Sequence, residues 1–106
     1  MFEVIASSIY DKWFDELDSF VAARVNARIS RISIGNFGDC KPVGGGIFEL
    51  RMFFGSGYRI YYMIIDGKLV ILLCAGDKSS KSAQSKDINF AKEIAREYEH
   101  EYKDKF

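Results

Sequence analysis

Arg51 and Arg59 are the side chains in this sequence best suited to chemistry on an anion. A guanidinium is a planar fork of donors that matches the oxygens of a phosphate. Both arginines lie in runs that alternate as strands do. In the first run Phe48, Leu50 and Met52 share one face, and Glu49, Arg51 and Phe53 share the other. In the second, Ile60, Tyr62 and Ile64 share one face, and Arg59, Tyr61 and Met63 the other. Gly55-Ser56-Gly57 joins the two runs as a hairpin turn, so the arginines are expected on neighbouring strands and on one face. Tyr61 shares that face, and Lys78 follows the end of the next strand in Gly76-Asp77-Lys78-Ser79. Such a set suits RNA. Cations stabilise the charge that builds on a phosphodiester attacked by its own 2′-hydroxyl, a tyrosine stacks on a base or donates its hydroxyl, and an acid–base pair moves protons. That reaction requires no metal, and nothing in the sequence asks for a cofactor. The plainer reading is an ion-paired sheet surface, with Glu49 as the partner of Arg51.

Other motifs carry less. Gly44-Gly45-Gly46 lacks the Gly-Lys-Ser/Thr of a nucleotide loop and reads as a turn. Asp77 and Asp87 have no metal-ligand spacing. His100, the single histidine, lies in the charged end of the last helix and reads as solvent-facing. Arg24, Arg28 and Arg31 form a helical stripe, normally a solvated face, that would also fit an acidic partner or RNA. Trp13 reads as a core anchor. Cys40 and Cys74 are too few for a disulfide scaffold and are expected to be reduced thiols.

The net charge of zero at first counts against a nucleic-acid partner, but its distribution does not. Residues 41–86 hold seven basic and three acidic side chains, whereas 1–40 and 87–106 each hold four basic and six acidic. A basic centre attracts phosphate locally even in a neutral molecule. With 106 residues, 48% of them hydrophobic, the chain is expected to be a single domain over 1–106 with a real core. Its longest apolar stretch, Leu69 to Ala75, is far too short for a bilayer, and the N-terminus has no secretory pattern. A cytoplasmic protein without membrane partners is expected.

The elements that must position these residues can be read in order. Phe2 to Ala6 predicts a short strand. Ser7 or Ser8 caps a helix through Asp18, with Tyr10, Phe14 and Leu17 on one side. Phe20 to Ile34 is a second helix with Val21, Val25, Ile29 and Ile32 as its apolar stripe. Cys40 to Val43 is a short strand, placed at a sheet edge by Pro42. Strands follow at Ile47 to Phe54, Tyr58 to Asp66 and Lys68 to Ala75. Asp66-Gly67 between the last two is a type I′ turn signal. The last strand, apolar on both faces, is expected to be covered on both. Asp87 reads as the N-cap of a final helix, Ile88 to Lys103. The result is an α+β fold, two N-terminal helices and a C-terminal helix packed on an antiparallel sheet, with the helices segregated to one side.

Four motifs in order also carry a resemblance. They are Gly35-Asn36-Phe37-Gly38-Asp39 with Lys41-Pro42-Val43-Gly44, then Glu49-Leu50-Arg51, then Gly55-Ser56-Gly57-Tyr58-Arg59-Ile60-Tyr61-Tyr62, then Gly76-Asp77-Lys78-Ser79-Ser80. From about Trp13 to Ile88 the chain resembles the RelE/HigB-type toxins of type II toxin–antitoxin systems, the addiction-module killer group of the RelE/ParE superfamily. The resemblance implies the RelE-like microbial RNase fold and a metal-independent endoribonuclease that cleaves mRNA, commonly on the ribosome, and inhibits translation. It also implies a cognate antitoxin, expected to be a HigA-type helix-turn-helix protein. Arg59, Arg51, Lys78 and Tyr61 become the expected catalytic residues, and Lys41, Tyr58 and Lys81 the expected RNA-binding ones. Three features depart from the pattern, one being the neutral net charge in a family that tends to be basic. Lys81-Ser82-Ala83 stands as an insertion before Gln84, and no histidine or C-terminal tyrosine occupies a family acid–base position. Fold does not dictate activity. A ParE-like gyrase poison and an inactive antitoxin-binding module are the alternatives on the same scaffold.

Overall fold

The computed structural model describes residues 1–77 and 80–102. In chain order it holds β1 (Glu3–Ala6), α1 (Ser8–Asp15), α2 (Ser19–Ile32), β2 (Cys40–Gly44), β3 (Ile47–Met52), β4 (Tyr58–Ile65), β5 (Leu69–Asp77) and α3 (Lys81–Tyr102). The strands form one sheet in the order β1-β5-β4-β3-β2. Strands β2 to β5 are antiparallel neighbours, while β1 lies parallel to β5 along the other edge. Three helices on a mixed, mostly antiparallel five-stranded sheet make the α+β fold.

Local chemistry accounts for most boundaries. Ser7 caps α1, its Oγ accepting from the Tyr10 amide at 3.0 Å and donating to the Leu73 carbonyl at 2.5 Å, so one hydroxyl both starts the helix and ties it to the sheet. Asp18 caps α2 through the Val21 amide, and α2 ends with its apolar stripe at Ile32, two residues before the expected Ile34 and ahead of Gly35 with its φ of 88°. Pro42 sits on the edge strand, where its missing N–H costs no ladder bond. Asp66 and Gly67 both take positive φ, the type I′ turn that matches strand twist.

The helices do not gather on one side. α1 and α2 cover Leu50, Met52, Ile60, Tyr62, Val70 and Leu72, and α3 covers Ile47, Tyr61, Met63, Ile71 and Leu73. The cause lies in β5, where Leu69 through Cys74 are all buried. A strand apolar on both faces needs a cover on each.

The start of α3 also differs from the reading. Asp87 is not its cap. Ser80 is: its Oγ accepts from the Ala83 amide at 3.1 Å and its carbonyl from the Gln84 amide at 3.0 Å. Lys81-Ser82-Ala83 is therefore the first turn of α3, and Asp87 lies well inside the helix. A final irregularity matters for the site. Tyr62 pairs with Leu72 but Tyr61 with Cys74, so Leu73 is an extra residue in β5. The bulge places Gly76, rather than Ala75, opposite Arg59.

Candidate functional site

The antiparallel register of β3 and β4 sets Arg51 directly opposite Arg59, and Glu49 directly opposite Tyr61. All four side chains rise from the face that α3 covers. The two arginines sit at its margin, with Arg51 33% exposed and Arg59 16% exposed.

Glu49 is the centre of this group and is fully buried. Its Oε2 accepts from the Tyr61 hydroxyl at 3.1 Å and from Gln84 Nε2 at 2.7 Å, and Arg59 Nε stands 3.8 Å away. Lys41 Nζ lies 4.0 Å from Oε1. Burying a carboxylate costs several kcal/mol, on the order of what a good ion pair returns, so partners on three elements are needed to hold it. Each is supplied separately: β4 gives Tyr61 and Arg59, β2 gives Lys41, and the second turn of α3 gives Gln84.

The plainer expectation pairs Glu49 with Arg51, and the structure pairs them otherwise. Arg51 Nη2 donates to Asp39 Oδ1 at 2.9 Å, on the outer rim, and Glu49 faces Arg59. Side chains alternate along β3, but the long Arg51 side chain turns towards the loop before β2. Arg28 of α2 braces the same loop, donating to the carbonyls of Arg51 and Phe37 at 3.1 and 3.3 Å.

Neither arginine is saturated. Arg59 Nε and Nη1 and Arg51 Nε are buried and have no hydrogen-bond partner among the described residues. Unmet charged donors are costly in a folded protein, and these three are enclosed rather than open to solvent. Arg51, Arg59 and Lys41 together make this margin of the sheet cationic, the charge that attracts an anion.

Tyr61 is fully buried, and burial together with the neighbouring Glu49 carboxylate pushes its hydroxyl well above the ordinary phenol range. Its hydroxyl donates to Glu49, and its covered ring offers no face for a base to stack on in this arrangement. Its place is beneath Arg59, orienting the carboxylate. Tyr58 lies on the opposite face of β4, against Trp13 and Phe54, and does not join the arginines. Lys81 opens α3 and is exposed. Lys78 lies outside the described residues. Cys40 and Cys74 are both free thiols. Burial, with the Asp87 charge, pushes Cys74 up to about 12.

Two contributors escape the sequence reading. Gln84 and Asp87 are three residues apart and continue the inward stripe of Ala91, Ile94 and Ala95 toward the N-terminus of α3. Their spacing is a usable signal, hidden because both are polar. Asp87 packs over Gly76, one of its carboxylate oxygens occupying the place a Cβ would take. A Cβ at position 76 would meet that carboxylate and displace it, so the glycine leaves room for Asp87 without being needed for backbone conformation. Burial and the Asp77 charge raise the Asp87 carboxyl above its ordinary value, and Arg59 draws it partly back.

Comparison with known proteins places this geometry in context. The model of the family described as "Phage derived protein Gp49-like (DUF891)" matches residues 12–96. An uncharacterized protein of Haemophilus influenzae is 53% identical over 89 residues, covering 83% of this chain and 87% of that protein. Among solved structures, the isolated Escherichia coli RelE toxin superposes with a TM-score of 0.64 at 18% identity, covering 84% of this chain and 97% of RelE. RelBE2, a toxin–antitoxin complex from Mycobacterium tuberculosis, gives 0.60 at 22% identity, covering 73% of this chain and 98% of the matched one. The chain belongs to the Gp49-like family and has the fold of the RelE toxins.

Proposed function

We propose that this protein is the toxin of a type II toxin–antitoxin module and cleaves mRNA without a metal, on the ribosome, so that translation stops. The observation that carries the reading is the Arg51–Arg59 pair, two cations on directly paired positions of β3 and β4 at the margin of the face that α3 covers. In the reaction the ribose 2′-oxygen attacks the adjacent phosphorus, leaving a cyclic phosphate on one fragment and a 5′-hydroxyl on the other. Arg59 and Arg51 bind the scissile phosphate and stabilise its growing charge, and preorganised donors of this kind contribute about 100-fold or more each. Lys78 joins the two arginines in stabilising the phosphate, and Lys41 and Lys81 bind the RNA, Lys41 from the edge strand and Lys81 from the first turn of α3. Glu49, Tyr61 and Gln84 hold Arg59 in place. A single cytoplasmic domain neutralised by a cognate antitoxin, of the HigA helix-turn-helix type, completes the reading. RelE of Escherichia coli has been solved in an intact complex with its antitoxin, which supports an antitoxin partner here but not its type.

Inducible expression without a partner, with mapping of mRNA 5′ ends, tests this directly. New 5′-hydroxyl ends inside reading frames are expected for the wild type and none for Arg59→Ala at equal expression. Arrest with intact mRNA and broken DNA would replace the nuclease with a gyrase poison. No arrest at all would leave an antitoxin-binding module.

A further inference from the structure

The arginine pair explains how a phosphate is held but not which group takes the proton from the attacking hydroxyl. Glu49 is sealed from solvent and already accepts two hydrogen bonds. Tyr61 is buried beside it with its proton committed. Asp39 is held on the outer rim by Arg51. His100 stands thirteen residues beyond Asp87 on α3, about 20 Å along the axis at about 1.5 Å per residue.

Asp87 is differently placed. The bulge in β5 pairs Gly76 with Arg59, and directly paired residues on one face of an antiparallel sheet hold their Cβ positions about 5 Å apart. The Asp87 carboxylate occupies the Cβ position of Gly76, so it lies beside the base of the Arg59 side chain, on the same face. It is half-buried rather than sealed. The groups facing it are Arg59 and Tyr61 on β4 and Cys74 and Asp77 on β5.

We propose that Asp87 is the proton acceptor of this site, the carboxylate that removes the hydrogen of the ribose 2′-hydroxyl. The proposal rests on the ribonuclease reading above. The 2′-oxygen forms its bond to phosphorus as its proton passes to Asp87. The bond from phosphorus to the 5′-oxygen breaks, and that oxygen leaves with a proton from water. Asp87 then returns its proton to solvent, so nothing is oxidised or reduced. Burial raises the proton affinity of this carboxyl above that of an ordinary aspartate, as a base working near neutrality requires. The glycine at position 76 leaves room for the carboxylate on the face that carries Arg59.

The test is single-turnover cleavage of an mRNA programmed on ribosomes, using the purified full chain, from about pH 5 to about pH 9. Wild type, Asp87→Asn, Asp87→Glu and Arg59→Ala are compared, with circular dichroism to verify folding. Asp87→Asn is expected to cleave about 100-fold more slowly and to lose the rise in rate with pH on the acidic side. Asp87→Glu is expected to recover part of the rate and to keep a rise at a shifted pH. A rate for Asp87→Asn within about threefold of wild type overturns the proposal. So does a uniform loss that leaves the acidic limb unchanged, because that marks a structural role. If the wild type itself leaves the mRNA intact, the ribonuclease reading fails and the proposal falls with it. Wild-type cleavage abolished by Arg59→Ala but not by Asp87→Asn defeats the proposal alone.

Discussion

Along β3 and β4 alternate residues serve two different interiors. On the α1/α2 side Tyr62 is stacked between Phe37 and Phe48 at centroid distances of 5.6 and 5.4 Å, above fully buried Leu50 and Ile60. On the α3 side the same two strands present Glu49, Tyr61, Arg51 and Arg59. The first face is closed by apolar contact and aromatic stacking, which stabilise without needing matched polar partners. The second adds to its apolar cover over Ile47, Met63, Ile71 and Leu73 a buried carboxylate with Arg59 beside it, an arrangement that apolar residues of equal volume would commonly match or better in stability. Both faces hold buried apolar residues, but only the second gives up some stability to enclose charged side chains.

The comparison breaks first at Tyr62. Tyr62→Ala empties an aromatic stack in the closed core and is expected to cost about 3–5 kcal/mol in urea unfolding, at the level of other buried aromatic truncations. Any loss of toxicity should follow the loss of folded protein. A cost below about 1 kcal/mol would mean that the two faces do not differ as described.

Glu49→Ala tests the other side. It leaves the Tyr61 hydroxyl, the Gln84 amide and Arg59 without their common acceptor, and about 3 kcal/mol is expected. Glu49→Gln restores an acceptor of the same shape and should recover part of that stability. It should still cleave more slowly than the wild type, since Arg59 loses the charge that faces it. Equal activity in Glu49→Gln and wild type would show that the carboxylate does no more than fill space.

Arg51→Ala should separate stability from activity most cleanly. Its ion pair with Asp39 lies on the rim, where such pairs contribute under about 1 kcal/mol. The unfolding midpoint should barely move, while cleavage falls with loss of a phosphate ligand. A large fall in stability with unchanged cleavage would place Arg51 in the scaffold instead.

The closed face is the more legible of the two. Its elements depend on local rules: period-two alternation in β3 and β4, Ser7 as a cap, and Asp66-Gly67 as a turn. The shared face of Arg51 and Arg59 follows from the same alternation. What escapes depends on contacts distant in sequence. An extra residue within the apolar run of β5 leaves no mark in composition, yet it decides that Gly76 stands opposite Arg59. Asp87 has the chemistry of a helix cap, and only Ser80's bonds to the first turn show that α3 begins earlier. Tyr61 shares a face with both arginines by alternation, but alternation tells which face a residue takes, not whether a helix later covers it.

The smallest expected effect concerns Asp87 and runs opposite to the others. Burial and the Asp77 charge raise this carboxyl in the folded protein, so the folded state binds its proton more tightly than the unfolded chain does. The stability it contributes is present in full below the ordinary value of 3.8 and is lost as pH rises through the raised value. Near neutrality the ionised carboxylate therefore weighs against folding, and Asp87→Asn should melt slightly higher than the wild type. The gap should close as pH falls toward about 4, which melting curves at several pH values would reveal. A variant that melts lower near neutrality would mean that Arg59 outweighs burial and Asp77, and that the carboxylate is part of the scaffold. A variant that melts higher yet cleaves more slowly would place Asp87 among the groups kept for chemistry although they weaken the fold, on the same side of the sheet as the arginines.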